Sequence, residues 1–294
     1  MADLNGIVVV NKEKGYTSHD VVSIMRKILG TSKIGHTGTL DPNAEGVLPV
    51  CVGKSTRLAD MLTFSDKEYI ASVRLGITTD TYDIWGEETG RADVNVPEEE
   101  LLAAAEKFKG EISQLPPMFS AVKVNGKKLY ELARKGVEVE RKSRTVTIYG
   151  LEITDFDGVN FNMRVRCSKG TYVRSLCHDI GQTLGCGACM TALTRTKSSV
   201  FSMEDAKTLD EIRSIAEGGD VRSLLMPPDS VFGDLKRINV TDAVRTRLLN
   251  GALSRVEVPV GRYRAYAPDG GFIGITEVFT GEKGNIIKIV KAFC

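Results

Sequence analysis

The sequence predicts an α+β fold in which most strands pair antiparallel. Two strand-like segments, residues 145–153 and 160–167, flank the turn sequence DFDG, which is typical of a hairpin. Amphipathic helical segments separate the other strand-like runs, and residues 231–294 contain short strands joined by tight turns. The chain has 294 residues, of which 42% are hydrophobic and 26% charged. These values fit one large domain or two unequal ones and exclude a wholly disordered protein.

The first predicted elements are a strand and a helix. Residues 6–10 form a β-branched run that is typical of a strand buried on both faces. Thr17 can cap the following helix, Asp20 lies near its amide end, and Gly30 fits the position after its last turn. The apolar face of this helix is expected to contain Val21, Val22, Met25, Ile28 and Leu29.

The next segments are a loop, a strand and a second helix. Residues 33–49 contain three glycines and two prolines, which predicts an ordered functional loop. Residues 69–75 alternate as a strand does. Pro97 begins a helix with three glutamates in its first turn, where the macrodipole favours anions. We expect this helix to end at Gly110 and to bury Leu101, Leu102, Ala105 and Phe108.

An arginine near a helix start is the least expected local feature. Residues 170–171 open this helix and Gly185 closes it, with a core-facing stripe from Val173 to Leu184. Arg174 lies in the first turn, where the aligned amides already supply positive charge. Arg174 is therefore either solvated or compensated by a carboxylate from elsewhere in the chain.

The sequence divides near its last quarter. The segment MPPDS at residues 226–230 predicts a boundary. Beyond it, Thr241 can cap a short helix that runs to Gly251, and turns are expected at residues 268–271 and 281–284. Residues 231–294 therefore have the size and pattern of a small β-rich module.

Charge is segregated along the chain, although the net charge is only +1. Residues 121–150 hold eight basic residues against three acidic ones, and residues 164–197 hold six against one. Residues 81–106 hold eight acidic residues against Arg91 alone. Two basic regions beside an acidic one suit a nucleic-acid partner bound on one face, but an unevenly charged solvated surface is the commoner origin of such a pattern.

The motifs disfavour several familiar chemistries. Gly53-Lys54-Ser55 resembles the end of a phosphate-binding loop, but Leu48 stands where that motif needs its first glycine. Cys186 and Cys189 have a zinc-like spacing, but a second ligand pair is missing, so buried thiols are the better interpretation. Six irregularly spaced cysteines, the lack of a long apolar run and the lack of a secretory pattern at residues 1–6 predict a reducing, cytoplasmic location.

The most specific segment is GHTGTLDPNAEGVLP at residues 35–49. It places the carboxylate of Asp41 directly before Pro42, which holds Asp41 in an extended backbone, and it carries His36 five residues earlier. Taken alone, this is an Asp-Pro turn. The segment nevertheless resembles the catalytic loop of the TruB family of tRNA pseudouridine synthases, whose pattern G-H-T-G-x-L-D-P-x-A-x-G-x-L-P it matches at every fixed position.

Further segments resemble the same family in the same order. The triplet KEY at residues 67–69 resembles the K-x-Y strand of the family, and residues 75–83 resemble the segment that follows it. Residues 116–131 resemble its RNA-gripping thumb, and SKGTYVR, which ends at Arg174, resembles the strand-to-helix motif that carries its essential arginine. With GCGA at residues 185–188 and LTR at residues 193–195, the resemblance covers residues 5–200 well and the tail weakly.

The resemblance implies a pseudouridine synthase fold with a mixed, mostly antiparallel central sheet flanked by helices. It implies a catalytic domain over residues 1–230, with the thumb at about 113–145, and a PUA-like RNA-binding domain over residues 231–294. The implied reaction is the isomerisation of uridine 55 to pseudouridine in the T arm of tRNA. The C1′–N1 bond breaks, the uracil turns and C5 bonds to C1′, so neither a cofactor nor a metal is expected.

The resemblance also implies roles for individual residues. Asp41 would be the catalytic carboxylate, attacking C1′, adding to the ring or removing the 2′ hydrogen, and Arg174 would be its ion-pair partner. Tyr69 would stack on the everted uracil and relay the C5 proton. Basic residues 123–144 would clasp the phosphate backbone. The remaining contacts to the pocket and the RNA would come from His36, Lys67, Tyr172 and Leu193.

Two other functions stay open at this point. A relative that modifies ribosomal RNA within a guide-RNA complex would carry the same loop, and a non-catalytic chaperone would fold tRNA without isomerising it. The intact thumb-like region favours a stand-alone tRNA enzyme, and Asp41 weighs against chaperoning as the sole role. We expect a monomer that binds the T-arm stem-loop of tRNA, with no membrane and no obligate protein partner.

Overall fold

The computed structural model describes residues 4–63 and 65–293. Part of the N-terminal segment at residues 1–6 and the last residue of the predicted C-terminal module therefore lie outside the described residues. The helices are α1 (Ser18–Leu29), α2 (Ala59–Thr63), α3 (Glu98–Glu106), α4 (Leu129–Ala133), α5 (Val173–Thr183), α6 (Leu209–Glu217) and α7 (Asp242–Leu249). The strands are β1 (Gly6–Lys12), β2 (Ile34–His36), β3 (Glu45–Val52), β4 (Lys67–Leu75), β5 (Ile77–Thr79), β6 (Glu88–Arg91), β7 (Gly110–Gln114), β8 (Lys123–Val124), β9 (Lys127–Lys128), β10 (Arg144–Thr154), β11 (Asn160–Cys167), β12 (Ala188–Ser198), β13 (Phe201–Ser202), β14 (Lys236–Asn239), β15 (Ser254–Arg255), β16 (Gly261–Tyr266), β17 (Phe272–Gly281) and β18 (Gly284–Ala292).

The larger sheet has nine strands, and its main path runs β1-β3-β12-β4-β11-β10-β7. Among the described strands of this sheet, the pairing of β3 with β12 is parallel and the others are antiparallel. The prediction of a mixed, mostly antiparallel α+β sheet is thus confirmed. Because β3 follows the Asp41 loop directly and β12 carries Leu193, this parallel pair brings two distant parts of the sequence to the centre of the sheet.

The composition of residues 33–49 predicted a single loop, but the structure shows two strands within this range. The range includes β2 and the start of β3, so the irregular part between these strands is limited to residues 37–44. The prediction relied on the glycines and prolines of this segment and gave too little weight to the apolar run from Val47 to Val52. This run is buried against β1 and therefore forms a strand. Gly46 has a φ of 104°, and a Cβ there would collide with the backbone of Arg195, so only glycine allows β3 to pass this close to β12.

The predicted helix α1 is confirmed, whereas α3 differs from its prediction. In α1 the Thr17 hydroxyl accepts from the Asp20 amide, and the Asp20 carboxylate accepts from the Thr17 amide, which forms a capping box. Helix α3 ends at Glu106 rather than near Gly110. Leu102 is 46% exposed and Ala104 is buried instead, because residues three and four positions after Leu101 share its face of the helix.

The start of α5 is set by a side chain on β7. Gln114 donates from Nε2 to the Tyr172 carbonyl at 3.0 Å and accepts from the Tyr172 amide at 2.7 Å. These two hydrogen bonds hold the backbone of Tyr172 in an extended conformation. The helix therefore begins at Val173 and not at residues 170–171, as the sequence had predicted. Arg174 is therefore the second residue of the helix and points toward the irregular segment between β2 and β3, since its guanidinium meets Asp41 there.

The C-terminal sheet has five strands in the order β14-β16-β17-β18-β15. The predicted turns at residues 268–271 and 281–284 connect β16 to β17 and β17 to β18. The predicted boundary segment around Met226 is attached to β1, because Ile7 and Met226 exchange backbone hydrogen bonds of 2.9 Å. Ile7 of β1 also belongs to the same buried apolar cluster as Ile275 and Phe293. None of the helices over residues 4–63 and 65–293 combines the length and apolar character that a bilayer span requires.

Candidate active site

A cleft of about 680 Å³ opens where the Asp41 loop, β4, β12 and the start of α5 meet. Six of the seven predicted site residues line it: Asp41, Lys67, Tyr69, Tyr172, Arg174 and Leu193. His36 lies outside this lining, in β2, where its Nδ1 accepts from the Gly38 amide at 3.3 Å. Burial, with a contribution from the charge of Arg195, lowers the pKa of His36, so its imidazole is neutral at pH 7.

Asp41 and Arg174 form a two-pronged ion pair at the cleft. Arg174 Nε lies 2.9 Å from Asp41 Oδ2, and Arg174 Nη2 donates to Asp41 Oδ1 at 3.3 Å. The Arg174 side chain is 7% exposed, whereas that of Asp41 is 40% exposed. The guanidinium therefore fixes the carboxylate from the protein side and leaves it accessible from the cleft.

The Arg174 guanidinium also has partners other than Asp41. Nη1 donates to the Thr81 carbonyl at 3.1 Å and lies 3.4 Å from Asp83 Oδ2, and Nη2 donates to the Phe119 carbonyl at 3.0 Å. Burial raises the pKa of the Asp83 carboxyl, while the Thr81 hydroxyl and the Arg174 charge oppose that rise. Sequence reasoning missed Asp83, although it ends the family-like segment at residues 75–83.

Arg195 is a second buried arginine, and sequence reasoning gave it no role. It is 1% exposed, donates from Nε to the Val47 carbonyl at 2.7 Å and from Nη2 to the Gly38 carbonyl at 3.2 Å. Burial raises the pKa of Tyr69, and the nearby charge of Arg195 opposes that rise. Tyr69 is therefore a neutral phenol at pH 7, with its hydroxyl beside a fixed positive charge.

Two buried lysines hold the walls of the cleft. Lys67 donates to the Thr63 carbonyl at 2.8 Å and to the Ser65 carbonyl at 2.5 Å, and burial, with a smaller effect of Arg195, lowers its pKa to about 8. Lys12 donates to the Tyr16 carbonyl at 2.7 Å and to the Pro42 carbonyl at 3.1 Å. Lys12 thus ties β1 to the residue after Asp41, a contact that no spacing in the sequence could indicate.

The cleft has an aromatic and basic rim. Tyr130 and Arg134 line it from the thumb-like region at residues 113–145, which contains the hairpin β8–β9 and α4. The Arg134 guanidinium lies 5.4 Å from the centre of the Tyr130 ring. Trp85 lines the cleft from the segment that follows Asp83. Within the part of the chain that the structure describes, no group of three or more His, Cys, Asp or Glu side chains is placed to hold a metal ion.

Two family descriptions match consecutive parts of the chain. Residues 26–173 match the N-terminal domain of the TruB family pseudouridylate synthases, and residues 174–232 match the tRNA pseudouridylate synthase B C-terminal domain. The first match therefore contains Asp41 and Tyr69, and the second begins at Arg174. The ion pair in the cleft joins one matched segment to the other.

Curated proteins are similar to this chain over nearly its whole length. The tRNA pseudouridine synthase B of Alkaliphilus oremlandii is 44% identical over 296 residues, which cover 98% of each chain. That of Clostridium kluyveri is 42% identical and covers 99% of this chain and 100% of its own. That of Geobacillus thermodenitrificans is 48% identical over 261 residues, which cover 86% of each chain.

Solved structures share the fold. The crystal structure of a Cbf5-Nop10-Gar1 complex superposes with a TM-score of 0.73 at 28% identity, covering 98% of this chain and 85% of that chain. The structure of an H/ACA RNP bound to a substrate RNA containing 2′-deoxyuridine superposes with a TM-score of 0.73 at 26% identity and the same coverage.

Proposed function

Since this chain belongs to the TruB family of pseudouridine synthases, we propose that Asp41 is the carboxylate with which it converts uridine 55 of tRNA to pseudouridine. The observation that carries this assignment is the ion pair between Asp41 and Arg174 at a cleft that can admit an everted base. A carboxylate fixed from behind by a buried guanidinium, and accessible from the front, needs little reorganisation when the substrate arrives.

The reaction needs a group that stabilises or forms a bond at the glycosidic centre. The Asp41 carboxylate can attack C1′, add to the uracil ring or remove the 2′ hydrogen, and its geometry is compatible with each of these steps. In each case the C1′–N1 bond breaks, the uracil turns and C5 bonds to C1′. The C5 proton then leaves and N1 is protonated, so the product is an isomer of the substrate.

The detached uracil must stay in the cleft while it turns. Tyr69 offers an aromatic face and Leu193 an apolar wall, and both lie on adjacent strands of the central sheet. The neutral Tyr69 hydroxyl can relay the C5 proton by releasing its own proton as it takes the one from C5, since the nearby Arg195 guanidinium stabilises negative charge that develops on its oxygen. Tyr172 borders the same cleft, and Lys67 stiffens its wall.

We assign recognition of the RNA to the parts of the chain around this cleft. The T-arm stem-loop of tRNA would lie against the basic thumb at residues 113–145, where Tyr130 and Arg134 face the cleft. Residues 1–230 would form the catalytic domain, and residues 231–294 a PUA-like RNA-binding domain. His36, beside the cleft rather than in it, would pack on the nucleotides displaced by eversion. The protein would act on its own in the cytoplasm.

A guide-RNA enzyme for ribosomal RNA is not favoured. The curated relatives named tRNA pseudouridine synthase B are 42–48% identical to this chain, whereas the Cbf5 complex is 28% identical. A purely non-catalytic chaperone is not favoured either, because Asp41, Tyr69 and Arg174 all border one cleft.

Tritium release tests the proposed function. The purified protein is incubated with a T-arm stem-loop that carries 5-tritiated uridine at the target position, and with an equally long ribosomal RNA hairpin as control. We expect stoichiometric release from the T-arm RNA alone, without added guide RNA. Binding of the T-arm RNA without release would indicate a chaperone, and release only in the presence of a guide RNA would indicate the ribosomal alternative.

A further inference from the structure

We propose that the indole of Trp85 stacks on an unpaired base of the substrate RNA, next to the everted uridine, and so selects the conformation in which the uridine leaves the loop. This inference rests on the proposed function and adds a binding residue to it. Trp85 is the only tryptophan of the chain, and neither the family-like motifs nor the predicted site residues include it.

Trp85 is exposed at the rim of the active-site cleft. Its residue surface is 47% exposed, although a tryptophan side chain is among the largest apolar surfaces a protein can bury. It lines the same cleft as Asp41 and Arg174. An apolar ring left in water at the mouth of this cleft is available to any planar group that enters the cleft.

The backbone that carries Trp85 is held on both sides. The Trp85 amide donates to Asp83 Oδ1 at 3.3 Å, the Ile84 amide donates to the Met190 carbonyl at 2.9 Å, and the Gly86 amide donates to the Asp83 carbonyl at 3.2 Å. Asp83 is itself within 3.4 Å of Arg174. The backbone at Trp85 is thus tied through Asp83 to the ion pair that fixes Asp41.

A strained residue and a ring stack support the same segment. Tyr82 has a φ of 64°, a left-handed conformation that is uncommon for an aromatic residue. Its ring stacks on His178 of α5 at a centroid distance of 4.0 Å and an angle of 16°. The Met190 amide donates to the Tyr82 carbonyl at 3.0 Å. Trp85 therefore projects from a rigid support, and a rigid aromatic loses little conformational entropy when it binds.

The charges around Trp85 favour a base over a phosphate. Glu87 is exposed two positions after Trp85, whereas Glu88 is paired with Arg91, so the Glu87 carboxylate disfavours a phosphate on this side of the cleft. Arg134, which attracts phosphate, lines the cleft from the thumb-like region. A neutral ring on an acidic segment can contact RNA through the face of a base, where stacking needs no charge.

Eversion of the uridine creates the partner that Trp85 requires. When a nucleotide leaves a stacked loop, each of its neighbours loses a stacking face to water. An aromatic side chain at the mouth of the receiving cleft can cover one of those faces, which stabilises the everted state relative to the closed loop. The chemical identity of the partner is therefore an unpaired base one position from the target uridine.

The intrinsic fluorescence of the wild-type protein gives a direct readout. Because the chain has one tryptophan, selectively excited emission reports on Trp85 alone. We expect titration with the T-arm stem-loop to quench this emission, and a fully paired duplex of equal length to quench it much less. Unchanged emission at RNA concentrations that saturate binding would overturn the inference.

A double-mutant cycle identifies the base. Binding of Trp85→Ala and wild-type protein is measured on T-arm RNA that is intact, or abasic at the position before or after the target uridine. We expect Trp85→Ala to weaken binding of intact RNA about five- to a hundredfold, Trp85→Phe to weaken it less, and one abasic site to weaken binding by wild type but not by Trp85→Ala. Equal losses for both proteins at both abasic sites would refute the stacking.

A matched control separates a local effect from a general one. Tyr149 is also an exposed aromatic residue, at 45%, but it does not line the cleft. Tyr149→Ala is expected to lose as much affinity as wild type at each abasic site. If wild type releases tritium, but RNA neither quenches the Trp85 emission nor shows coupling between Trp85→Ala and an abasic site, this inference fails while the proposed function stands. If wild type binds the RNA without releasing tritium, the proposed function fails.

Discussion

Arg174 Nε lies 2.9 Å from Asp41 Oδ2, although the two residues are 133 positions apart in the sequence. The helix α5 that carries Arg174 and the loop that carries Asp41 meet because β3 and β12 are neighbours in the central sheet. An arginine in the first turn of a helix opposes the helix dipole. The carboxylates of Asp41 and Asp83 compensate that cost here.

Replacement of Arg174 tests the orientation of the carboxylate. We expect Arg174→Ala to lower kcat about 10²- to 10³-fold, because it removes both hydrogen bonds to Asp41 and leaves Asp83 buried without its cation. Arg174→Lys keeps the charge but cannot reproduce the two-pronged contact, so it should recover only part of the rate. Single-turnover tritium release measures the effect, and full activity of Arg174→Lys would contradict it.

Removal of one hydroxyl tests the proton relay. Tyr69→Phe keeps the ring that would stack on the uracil and loses the oxygen near the charge of Arg195. We expect RNA affinity to stay within about twofold and tritium release to slow by about 10²-fold or more, the usual scale of acid–base catalysis. Tyr149→Phe, an exposed residue outside the cleft, serves as control. A wild-type rate for Tyr69→Phe would rule out the relay.

The salt dependence of RNA binding tests the thumb. Arg134 borders the cleft and stands over Tyr130, so it is placed to meet a phosphate. We expect Arg134→Gln to weaken binding and to reduce the slope of log K against log salt by about 0.7–0.9, the value for one phosphate contact. Arg213→Gln, whose native side chain pairs with Asp210 on α6, should leave the slope unchanged. Equal slopes for all three proteins would remove Arg134 from the interface.

The pH dependence of stability tests the burial of Lys67. Burial lowers the pKa of Lys67 from 10.5 to about 8, so between these values the folded protein binds fewer protons than the unfolded chain. The contribution of Lys67 to the free energy of unfolding therefore rises with pH over this window. Urea titrations at pH about 8 and about 10.5 give the free energy of unfolding of wild type and of Lys67→Met. We expect the value for wild type minus the value for Lys67→Met to become more positive as the pH rises. A constant difference would contradict the lowered pKa.

Local patterns predicted much of the fold. The capping residues of α1, the alternation in β4 and the turn between β10 and β11 are all short-range signals, and each of these elements forms as predicted. The position of Arg174 at its helix start left solvation or a distant carboxylate as its two explanations, and the structure shows the second, with Asp41 and Asp83 beside it. These signals depend on neighbours within about four positions or on one charge.

The remaining features depend on burial, which spacing does not encode. Arg195 and Lys12 have polar side chains in strands, and only the fold shows that both are almost completely buried. Asp83 could not be paired with Arg174 before the turn at Tyr82 was known. The strand β3 was obscured by Gly46 and Pro49, whose places in the sheet depend on contacts with distant strands.

Asp41→Asn is the sharpest test of the catalytic carboxylate, because it removes the negative charge while nearly preserving the shape of the side chain. Single-turnover tritium release and RNA binding should be measured on the same preparation of the variant and of wild type. We expect no release above the uncatalysed background and an RNA affinity within about twofold of wild type. Tritium release by Asp41→Asn at the wild-type rate would contradict this expectation.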